Sequence, residues 1–588
     1  MQLTGTKFTD ETALAGNDLS TFPDFPAEIR APAGTMAGVS GFQIHFSSHD
    51  IHTPADRPDV LIAFNPAALR ANVEDVRPGG MVIVNIDSFN KKALDRAGYE
   101  EDPLAELRER FKLVEIPFTT LNREALHGLD LSQREIDRCK NFFALGLLCW
   151  LYGRPMDATE RWLGGKFKGD VLEGNVRTLR AGHAFGETTE LFPCSYVVPS
   201  AKIQPGTYRN ITGNQALAWG IVAAGVQMER DVFLGAYPIT PASDVLHELA
   251  RFRHFRVKTF QAEDEIAAVS STIGAAFAGQ LAATVSSGPG FILKQEALGL
   301  AVMVELPLVA IDVQRAGPST GSPTKTEQGD LLAALFGRHS QSPLPILAPS
   351  TPGDCFHTIL EAFRIAVRYM TPVVVLSDGY LANSAEPWLI PDVESLERQP
   401  IEFASPPEVG EFQPYARHPE TLARPWAIPG TPGLEHRIGG LTKQDITGNV
   451  TYEPDNHAKM IELRKQKIEG IARSLPPIEV DGPDSGELLV VGWGGTRGSI
   501  TAAVEAARED GLEVSQIHLR HLNPFPSDLG DVLRRFKKVL LPELSDGHLA
   551  LLLRAKYLVD VRSFDKIEGQ PFKIAELKEA ISKLHAEA

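Results

Sequence analysis

Between residues 206 and 390 the chain repeats one pattern several times: an apolar strand, a loop and a helix. The expected strands are DVFLGA (231–236), RVKTF (256–260), LAATVSS (281–287), PLVAIDV (307–313) and TPVVVLS (371–377). Continuous apolar strands that alternate with helices are typical of a parallel sheet with helices on both faces. We therefore expect a doubly wound α/β sheet in this part of the chain, preceded by a helix over 213–225.

The same alternation predicts an α/β unit on each side of this sheet. Residues 1–188 contain two apolar segments that are typical of buried parallel strands, and then a helix: 59–64, 80–86 and 136–151. Residues 486–588 contain three such strands, at 487–493, 513–519 and 538–544. The fold class that we expect is therefore multidomain α/β.

The stretch 391–485 has a different character, because prolines are frequent and apolar periodicity is poor. Only 456–471 has the spacing of a helix. We interpret the stretch as an extended excursion that wraps a neighbour, and not as a domain.

Length and charge limit the classes of function. A chain of 588 residues is too long for one core and predicts about three or four domains. Its formal charge of -17 argues against a nucleic-acid partner, whose phosphates need a basic surface. No apolar run has the length of a membrane span, and the first residues lack the apolar core of a signal peptide. We expect a cytoplasmic protein that is not embedded in a membrane.

The cysteines carry no obvious site. They form no CxxC pair and no other short ligand spacing, so we expect reduced thiols, with no disulfide framework and no metal cluster held by this chain alone. The four residues are Cys139, Cys149, Cys194 and Cys355.

Polar loops follow the strands of 206–390, and the carboxyl ends of parallel strands are where ligands collect. These loops are 237–241, 261–265, 288–290 and 314–325. Together they offer small hydroxyls, glycines, one acid cluster and two cations. Such a set suits a small anionic substrate beside a cofactor.

Two of these loops open helices, and each has a plain structural explanation. Thr240 before Pro241 is typical of an N-cap with proline at the first helical position, which is also a place where an anion is welcome. Glu263, Asp264 and Glu265 are acids of a first helical turn, which the helix dipole favours by about 0.3–1 kcal/mol each. Spacing alone does not select one acid among them.

The cations also have two interpretations. Arg315 directly follows a buried strand, where its guanidinium either holds a carboxylate in a bidentate manner or forms a structural ion pair. Lys325 is either a second anion contact or a solvated loop lysine. The glycine-rich turn 492–498 does not have the spacing of a dinucleotide fingerprint, so we interpret it as a tight strand-to-helix turn and assign it no cofactor.

Five segments, taken together and in this order, resemble the large subunit of the 2-oxoacid:ferredoxin oxidoreductases. They are GAYPITPASD (235–244), QAEDEIAAVSSTIGAAFAG (261–279), RAGPSTGSPTKTEQGD (315–330), PELSDGHLALLLRAKY (542–557) and GQPF (569–572). The third segment is the most specific, and the resemblance covers essentially the whole chain. It is greatest to the 2-oxoglutarate branch.

The resemblance implies a domain plan. Residues 1–188 would be a fused gamma-type domain, 206–390 the thiamine diphosphate pyrimidine-binding domain, 391–485 the linker excursion, and 486–588 a transketolase C-terminal-like domain. Gamma-type domains normally begin with a strand and a glycine-rich turn before a segment like Met1–Gly5. We therefore expect that Met1 is internal and that the first domain lacks its opening strand.

The resemblance also implies roles for single residues. Glu265 would bond N1′ of the aminopyrimidine and favour the tautomer that takes the thiazolium C2 proton. The other cofactor contacts would be Pro241 and Gly288. Thr240 and Arg315 would hold the carboxylate or keto end of the substrate, with further substrate contacts from Thr320, Thr324 and Lys325. No metal ligand is expected in this chain.

The chain departs from complete thiamine enzymes in one respect. It has no GDG motif with a following asparagine for the diphosphate and Mg²⁺, and no cysteine-rich cluster motif. The resemblance therefore implies a small subunit that supplies the diphosphate-binding domain, Mg²⁺ and a [4Fe–4S] cluster. The assembly would be a heterodimer or a dimer of heterodimers.

The implied reaction is oxidative decarboxylation of 2-oxoglutarate with coenzyme A, which gives succinyl-CoA and carbon dioxide, with electrons passed to ferredoxin. The alternatives are the same chemistry on pyruvate or a branched-chain 2-oxoacid, or a non-redox thiamine enzyme of the transketolase or decarboxylase kind. A catalytically inactive homologue is less favoured, because Glu265 and Arg315 are present.

Overall fold

The structure of the chain is a computed structural model, and it describes residues 2–26, 31, 34–192 and 195–587. Met1 and Cys194, which enter the expectations above, lie outside the described residues. Elements are numbered here in chain order.

The described strands are β1 (Asp18–Asp24), β2 (Gly41–Ser47), β3 (Val60–Ala63), β4 (Met81–Asn85), β5 (Lys112–Ile116), β6 (Tyr208–Thr212), β7 (Val232–Ala236), β8 (Val257–Gln261), β9 (Leu281–Ser286), β10 (Leu308–Gln314), β11 (Ile346–Leu347), β12 (Pro372–Asp378), β13 (Ala385–Leu389), β14 (Gly486–Trp493), β15 (Val514–Leu519), β16 (His521–Asn523), β17 (Phe536–Glu543) and β18 (Val561–Asp565).

The described helices are α1 (Gln2–Leu14), α2 (Pro66–Asn72), α3 (Lys91–Ala97), α4 (Leu104–Arg110), α5 (Phe118–Ala125), α6 (Gln133–Leu151), α7 (Asp157–Lys166), α8 (Gly169–Thr188), α9 (Gly213–Gln227), α10 (Ser243–Leu249), α11 (Glu265–Phe277), α12 (Gly288–Leu293), α13 (Gln295–Val304), α14 (Leu331–Phe336), α15 (Asp354–Tyr369), α16 (Gly379–Asn383), α17 (Pro454–Ile471), α18 (Arg497–Glu509), α19 (Leu529–Arg534), α20 (His548–Tyr557) and α21 (Ile574–Ala586). None of them is long and apolar enough to cross a bilayer.

The chain divides into two compact units. The first comprises residues 1–210 and 385–389, and the second comprises 211–384 and 390–588.

The first unit contains a three-stranded parallel sheet in the order β3-β4-β5 and an antiparallel pair, β1 and β2. Its two long helices, α6 and α8, cross at glycines. A Cβ at Gly146 would stand 1.9 Å from the carbonyl oxygen of Leu179, and one at Gly182 would stand 2.0 Å from that of Phe143. The two backbones can approach this closely only because both residues lack a side chain.

The second unit is built on two sheets. The larger has seven strands in the order β16-β11-β12-β10-β9-β7-β8, and its strands from β11 to β8 are parallel. The smaller is parallel and has the order β15-β14-β17-β18. The α/β architecture and the doubly wound sheet that the alternation predicts are confirmed.

The larger sheet also has a member that the sequence did not predict. The short β16 comes from the C-terminal stretch and pairs antiparallel with β11. One continuous hydrophobic cluster includes Leu376 of β12 and Val491 of β14, together with the fully buried Trp493. The two sheets of this unit therefore share a core.

The excursion is fixed to its own unit by buried polar contacts. Arg417 donates two hydrogen bonds to the carboxylate of Glu305, at 2.6 and 2.7 Å, and Lys467 of α17 bonds the same carboxylate. The indole of Trp426 donates to the carbonyl of Ala276 at 3.1 Å. The helix expected over 456–471 is α17, which begins at Pro454.

Candidate active site

The loops after β7, β8, β9 and β10 meet at one edge of the large sheet, because these strands are parallel and adjacent. The polar residues that the sequence analysis selected lie in these loops or in the helices that they open. Neighbouring strand ends therefore bring them together, although they are far apart along the chain.

Glu265 is the first residue of α11 and is buried, with 9% of its surface exposed. Asp264 supplies the N-cap, since its carboxylate accepts a hydrogen bond from the amide of Ala267 at 2.8 Å. The carboxylate of Glu265 accepts no hydrogen bond from the described residues. The acids of this turn thus differ in role. Asp264 caps the helix, Glu265 keeps a carboxyl group that can bond a ligand, and Glu263 is exposed.

The absence of a side chain at Gly290 leaves room for the side chain of Glu265. A Cβ at this position would stand 2.7 Å from both Cγ and Oε1 of Glu265, and 2.2 Å from the hydroxyl oxygen of Ser286. Gly288, close to Gly290 in the chain, is one of the cofactor contacts that the family resemblance implies. A Cβ at Gly288 would instead meet the carboxylate of Asp330, at 2.7 Å.

Lys294 lies beneath this loop, in the interior. Its ammonium group donates to the hydroxyl of Thr284 at 2.7 Å and to the carbonyl of Val285 at 3.0 Å. Burial lowers the pKa of Lys294 to about 7, although the charges of Glu265 and Asp312 oppose the change. Lys294 is therefore a buried amine that gains or loses its proton near neutral pH, and it interacts electrostatically with Glu265.

Arg315 follows β10 and is 9% exposed. Its Nη1 donates to the carbonyl of Thr240 at 2.8 Å, and its Nη2 donates to that of Thr320 at 3.2 Å. Its Nε is buried without a hydrogen-bond partner among the described residues. The guanidinium is thus held by backbone carbonyls and forms no ion pair within the described chain, so a structural ion pair does not explain it.

The carboxyl groups near Arg315 are those of Asp312 and Asp330. Asp312 is fully buried, and neither of its oxygens has a partner unless the two carboxyls share a proton. Burial, followed by the negative charge of Asp330, raises the pKa of Asp312 well above its usual range. We therefore describe Asp312 as the protonated member, which donates to Asp330.

Thr240 does not cap a helix. The peptide bond to Pro241 is cis, and α10 begins only at Ser243 with Ala242 at the cap position. The N-cap interpretation is therefore wrong. Thr240 holds Arg315 through its backbone, and the carbonyl of Pro241 accepts from the side chain of Asn214 at 2.9 Å.

The loop 315–330 presents the other expected substrate contacts. Thr320 is exposed, while Thr324 and Lys325 are half-buried. A Cβ at Gly569 would stand 2.7 Å from Cβ of Lys325, so the GQPF segment packs directly against this loop. Lys325 is thus supported from the C-terminal part of the chain and is not simply solvated.

The end of the same loop is hydrogen-bonded to the smaller sheet. Gln328 bonds the carbonyl of Trp493 at 2.8 Å and the amide of Leu544 at 3.0 Å. A Cβ at Gly494, whose φ is +58°, would stand 2.6 Å from the amide nitrogen of Gln328. The glycine-rich turn is therefore a tight strand-to-helix turn, as predicted, and its glycine makes room for a loop of the large sheet.

Four residues of this site were missed by sequence reasoning: Gly290, Lys294, Asp312 and Asp330. Asp312 lies within an apolar strand, and Asp330 closes the most specific motif. An acid inside a fully buried strand is the signal that could have identified Asp312 as a paired or protonated group.

The site fits an aminopyrimidine ring that is placed against Glu265. A buried carboxyl group without a hydrogen-bond partner among the described residues can bond a ring nitrogen, and Gly290 places no side chain against it. The guanidinium of Arg315 lies at the same edge and supplies a positive charge there, which suits an anionic carboxylate. No group of three or more His, Cys, Asp or Glu that could hold a metal ion occurs in the part of the chain that the structure describes.

Two family models match the chain. Residues 224–453 match the thiamine diphosphate-binding domain of pyruvate flavodoxin/ferredoxin oxidoreductases. Residues 1–185 match the model of pyruvate ferredoxin/flavodoxin oxidoreductase.

Curated relatives and a solved structure agree with these models. The 2-oxoglutarate oxidoreductase subunit KorA of Mycobacterium tuberculosis is 55% identical over 98% of this chain and 88% of the relative. The alpha subunit of 2-oxoacid:ferredoxin oxidoreductase 1 of Aeropyrum pernix is 33% identical over 77% of this chain and 70% of the relative. The 2-oxoglutarate:ferredoxin oxidoreductase of Magnetococcus marinus, solved with 2-oxoglutarate, coenzyme A and succinyl-CoA bound, has a TM-score of 0.85 at 29% identity, covering 99% of this chain and 96% of that one.

Proposed function

The chain belongs to the 2-oxoacid:ferredoxin oxidoreductase family, and we propose that it is the large subunit of a 2-oxoglutarate:ferredoxin oxidoreductase. The reaction converts 2-oxoglutarate and coenzyme A to succinyl-CoA and carbon dioxide, with two electrons passed to ferredoxin. The observation that carries the proposal is one sheet edge that brings together the buried carboxyl of Glu265, which has no hydrogen-bond partner among the described residues, and the guanidinium of Arg315, which two backbone carbonyls orient.

Glu265 forms a hydrogen bond with N1′ of the aminopyrimidine of thiamine diphosphate and favours the imino tautomer, in which N1′ carries a hydrogen. When bound, the cofactor supplies a carbanion and an electron sink for loss of carbon dioxide. Gly290 keeps the carboxylate of Glu265 accessible, and Pro241 and Gly288 line the same edge. A hydrogen bond with a charged partner contributes about 1.5–3 kcal/mol, so loss of the acid has a large effect.

Arg315 and Thr240 hold the carboxylate or keto end of the 2-oxoacid. Arg315 is already oriented by two backbone carbonyls, so little rotamer freedom is lost when it binds a carboxylate. Thr320, Thr324 and Lys325 contact the rest of the substrate. A second cation at Lys325 suits the distal carboxylate that distinguishes 2-oxoglutarate from pyruvate.

A small partner subunit completes the site. It carries the diphosphate-binding domain with Mg²⁺ and a [4Fe–4S] cluster, because the sequence of this chain has neither the diphosphate motif nor a cysteine-rich motif. The proposed assembly is a heterodimer or a dimer of heterodimers, and ferredoxin is the electron acceptor.

The same chemistry on pyruvate or a branched-chain 2-oxoacid is the second candidate. This candidate is supported by the relative at 33% identity, whose name specifies only a 2-oxoacid as the substrate. A non-redox thiamine enzyme would need no cluster, and a colourless partner would support that class instead.

The test is co-expression of this chain with its small subunit, followed by viologen reduction with coenzyme A across a panel of 2-oxoacids. We expect the highest kcat/KM with 2-oxoglutarate, and a brown complex. The large chain purified alone is the control and should neither retain thiamine diphosphate nor turn over an oxoacid. Turnover by the large chain alone would contradict the whole proposal. A preference of the complex for pyruvate would contradict only the assignment of 2-oxoglutarate as the substrate.

A further inference from the structure

A cavity of about 620 Å³ lies at the opposite edge of the large sheet from Glu265 and Arg315. Met228 and Met370, two of its lining residues, directly precede the loops into β7 and β12, so the cavity lies near the amino ends of these strands. The catalytic loops follow the carboxyl ends. Since β12 has seven residues, the two edges are about 20 Å apart.

The cavity has the size of a small-molecule site, since such sites typically measure about 300–1,000 Å³. α15 forms one wall, and two segments of the excursion, 399–404 and 423–426, form the other. The excursion wall carries the rings of Phe403 and Trp426, whose centroids are 5.0 Å apart. The planes of the two rings are tilted by 55° and Trp426 is 4% exposed, so it is the half-buried Phe403 that offers an aromatic surface to a planar ring.

Three arginines also line the cavity: Arg364, Arg368 and Arg424. Arg424 is 4% exposed, and its Nε donates to the carbonyls of Val304 and Glu305 at 2.9 and 3.1 Å. Its Nη1 donates to the carbonyl of Pro425 at 3.0 Å, and its Nη2 bonds no described residue. None of the three arginines forms an ion pair with a carboxylate in the described part of the chain.

The arginines are partnered differently on the α15 wall. Arg364 reaches the carbonyl of Glu397 at 3.4 Å, and Arg368 lies beside the ring of Tyr369. Among the described residues that line the cavity, the exposed Glu402 alone carries a carboxylate. The lining therefore carries more positive than negative charge.

A second layer of buried cations lies behind Arg424. It consists of Arg417, Lys443, Arg464 and Lys467, each of which is less than a tenth exposed. Glu305 is the carboxylate that they surround. Buried charges are normally matched in number by opposite charges, so this excess of cations favours an anion beside it. The local excess contrasts with the net charge of -17 of the whole chain.

We propose that this cavity binds a nucleoside phosphate. The guanidinium groups of Arg364, Arg368 and Arg424 hold the phosphates, because arginine pairs with phosphate oxygens in a bidentate manner. The base lies against the half-buried ring of Phe403. The site is separate from the catalytic edge, so its ligand is not consumed in the proposed reaction, and its occupancy fastens the excursion to α15.

The test is calorimetric titration of the full-length chain with ADP, and with adenosine and pyrophosphate as its two fragments. We expect saturable binding of ADP, weaker binding of pyrophosphate and none of adenosine. The double variant Arg364→Gln/Arg368→Gln should bind ADP about tenfold or more weakly, because two charge-assisted contacts are lost. Arg534→Gln, which changes an exposed arginine outside the cavity, should leave the affinity unchanged.

Hydrogen exchange with and without ADP locates the site independently of any turnover. Protection of 399–404 and 423–426 supports the proposal. Absence of saturable ADP binding up to millimolar concentration overturns it, as does unchanged affinity in the double variant. Protection confined to 288–330 would place ADP at the catalytic edge and would also overturn it, without bearing on the proposed reaction.

Discussion

Gly290 lies directly against the carboxylate of Glu265, since a Cβ at position 290 would stand 2.7 Å from Oε1 of that acid. The two residues are on different loops, after β8 and after β9. The missing side chain on one loop therefore keeps the proposed cofactor acid of the other in its position.

Gly290→Ala should displace Glu265 and lower both thiamine diphosphate affinity and turnover of the assembled enzyme by about tenfold or more, since the acid loses its charge-assisted hydrogen bond. Gly299→Ala is the matched control, because a Cβ there meets nothing within 4 Å. That change should stabilise α13 by about 0.5–1 kcal/mol. Steady-state kinetics and thermal unfolding measure both effects, and normal turnover of the Gly290 variant would contradict the packing argument.

Glu265→Gln should cut turnover by about a hundredfold or more while the complex still assembles, since acid–base assistance typically contributes about 10²–10⁴-fold. Glu263→Gln changes the exposed acid two positions earlier and should leave turnover near that of the wild type. Turnover with dye reduction and the elution volume of the complex give the two readouts. Similar activities of the two variants would remove Glu265 from its role.

Arg315→Lys should raise KM for the 2-oxoacid about tenfold, because an ammonium group keeps the charge but loses the planar fork. The affinity for thiamine diphosphate, measured by calorimetry on the complex, should change far less. An unchanged KM would refute the carboxylate contact. A large loss of cofactor affinity would show that Arg315 acts mainly on the loop that it holds at Thr240 and Thr320.

Glu305→Gln should lower the free energy of unfolding by about 3–5 kcal/mol, because two buried cations would lose their shared carboxylate. Burial alone would raise the pKa of Glu305, but Lys467 and Arg417 outweigh it and hold this pKa at about 2, below the usual 4.5. This stabilisation is complete above the usual pKa and is lost as the pH falls towards the folded pKa. The difference between wild type and variant in denaturant unfolding should therefore shrink between about pH 5 and pH 2. Glu469→Gln, at an exposed site on α17, is the control.

Asp312→Asn should make the protein more stable than the wild type at alkaline pH. The raised pKa of Asp312 means that its neutral form is the one favoured in the fold, so the wild type loses stability as the pH rises through that pKa. The asparagine amide keeps a donor towards Asp330 and does not ionise. Unfolding temperatures of the two proteins, measured from acid to alkaline pH, check whether the variant becomes the more stable one as the pH rises. A variant that is less stable at every pH would argue against a shared proton.

The alternation of apolar strands and helices was sufficient to predict β7, β8, β9, β10 and β12 to within a residue or two. β9, β10 and β12 are buried at every residue, and such parallel strands have continuous apolar sequences. It did not predict β16, a strand of three residues that pairs with β11 from far along the chain. The path of the excursion was also not predictable. Glu305 meets Arg417 and Lys467 across 112 and 162 residues, and no local pattern encodes such pairings.

The site was predicted in part for a similar reason. The motifs selected Glu265 and Arg315, whose positions after strand ends are local properties. The role of Gly290 and the pairing of Asp312 with Asp330 depend on which loops lie side by side. Thr240 was misinterpreted as a cap, because a hydroxyl before proline is typical of a helix start, whereas α10 begins only at Ser243.

The packing of Gly569 against Lys325 has a consequence for biosynthesis. A ribosome releases the chain from its N-terminus, and domains fold largely in that order. The loop at Lys325 then emerges well before the segment that supports it. In a nascent chain the loop at Lys325 therefore lacks this packing contact until translation has passed the turn before α21.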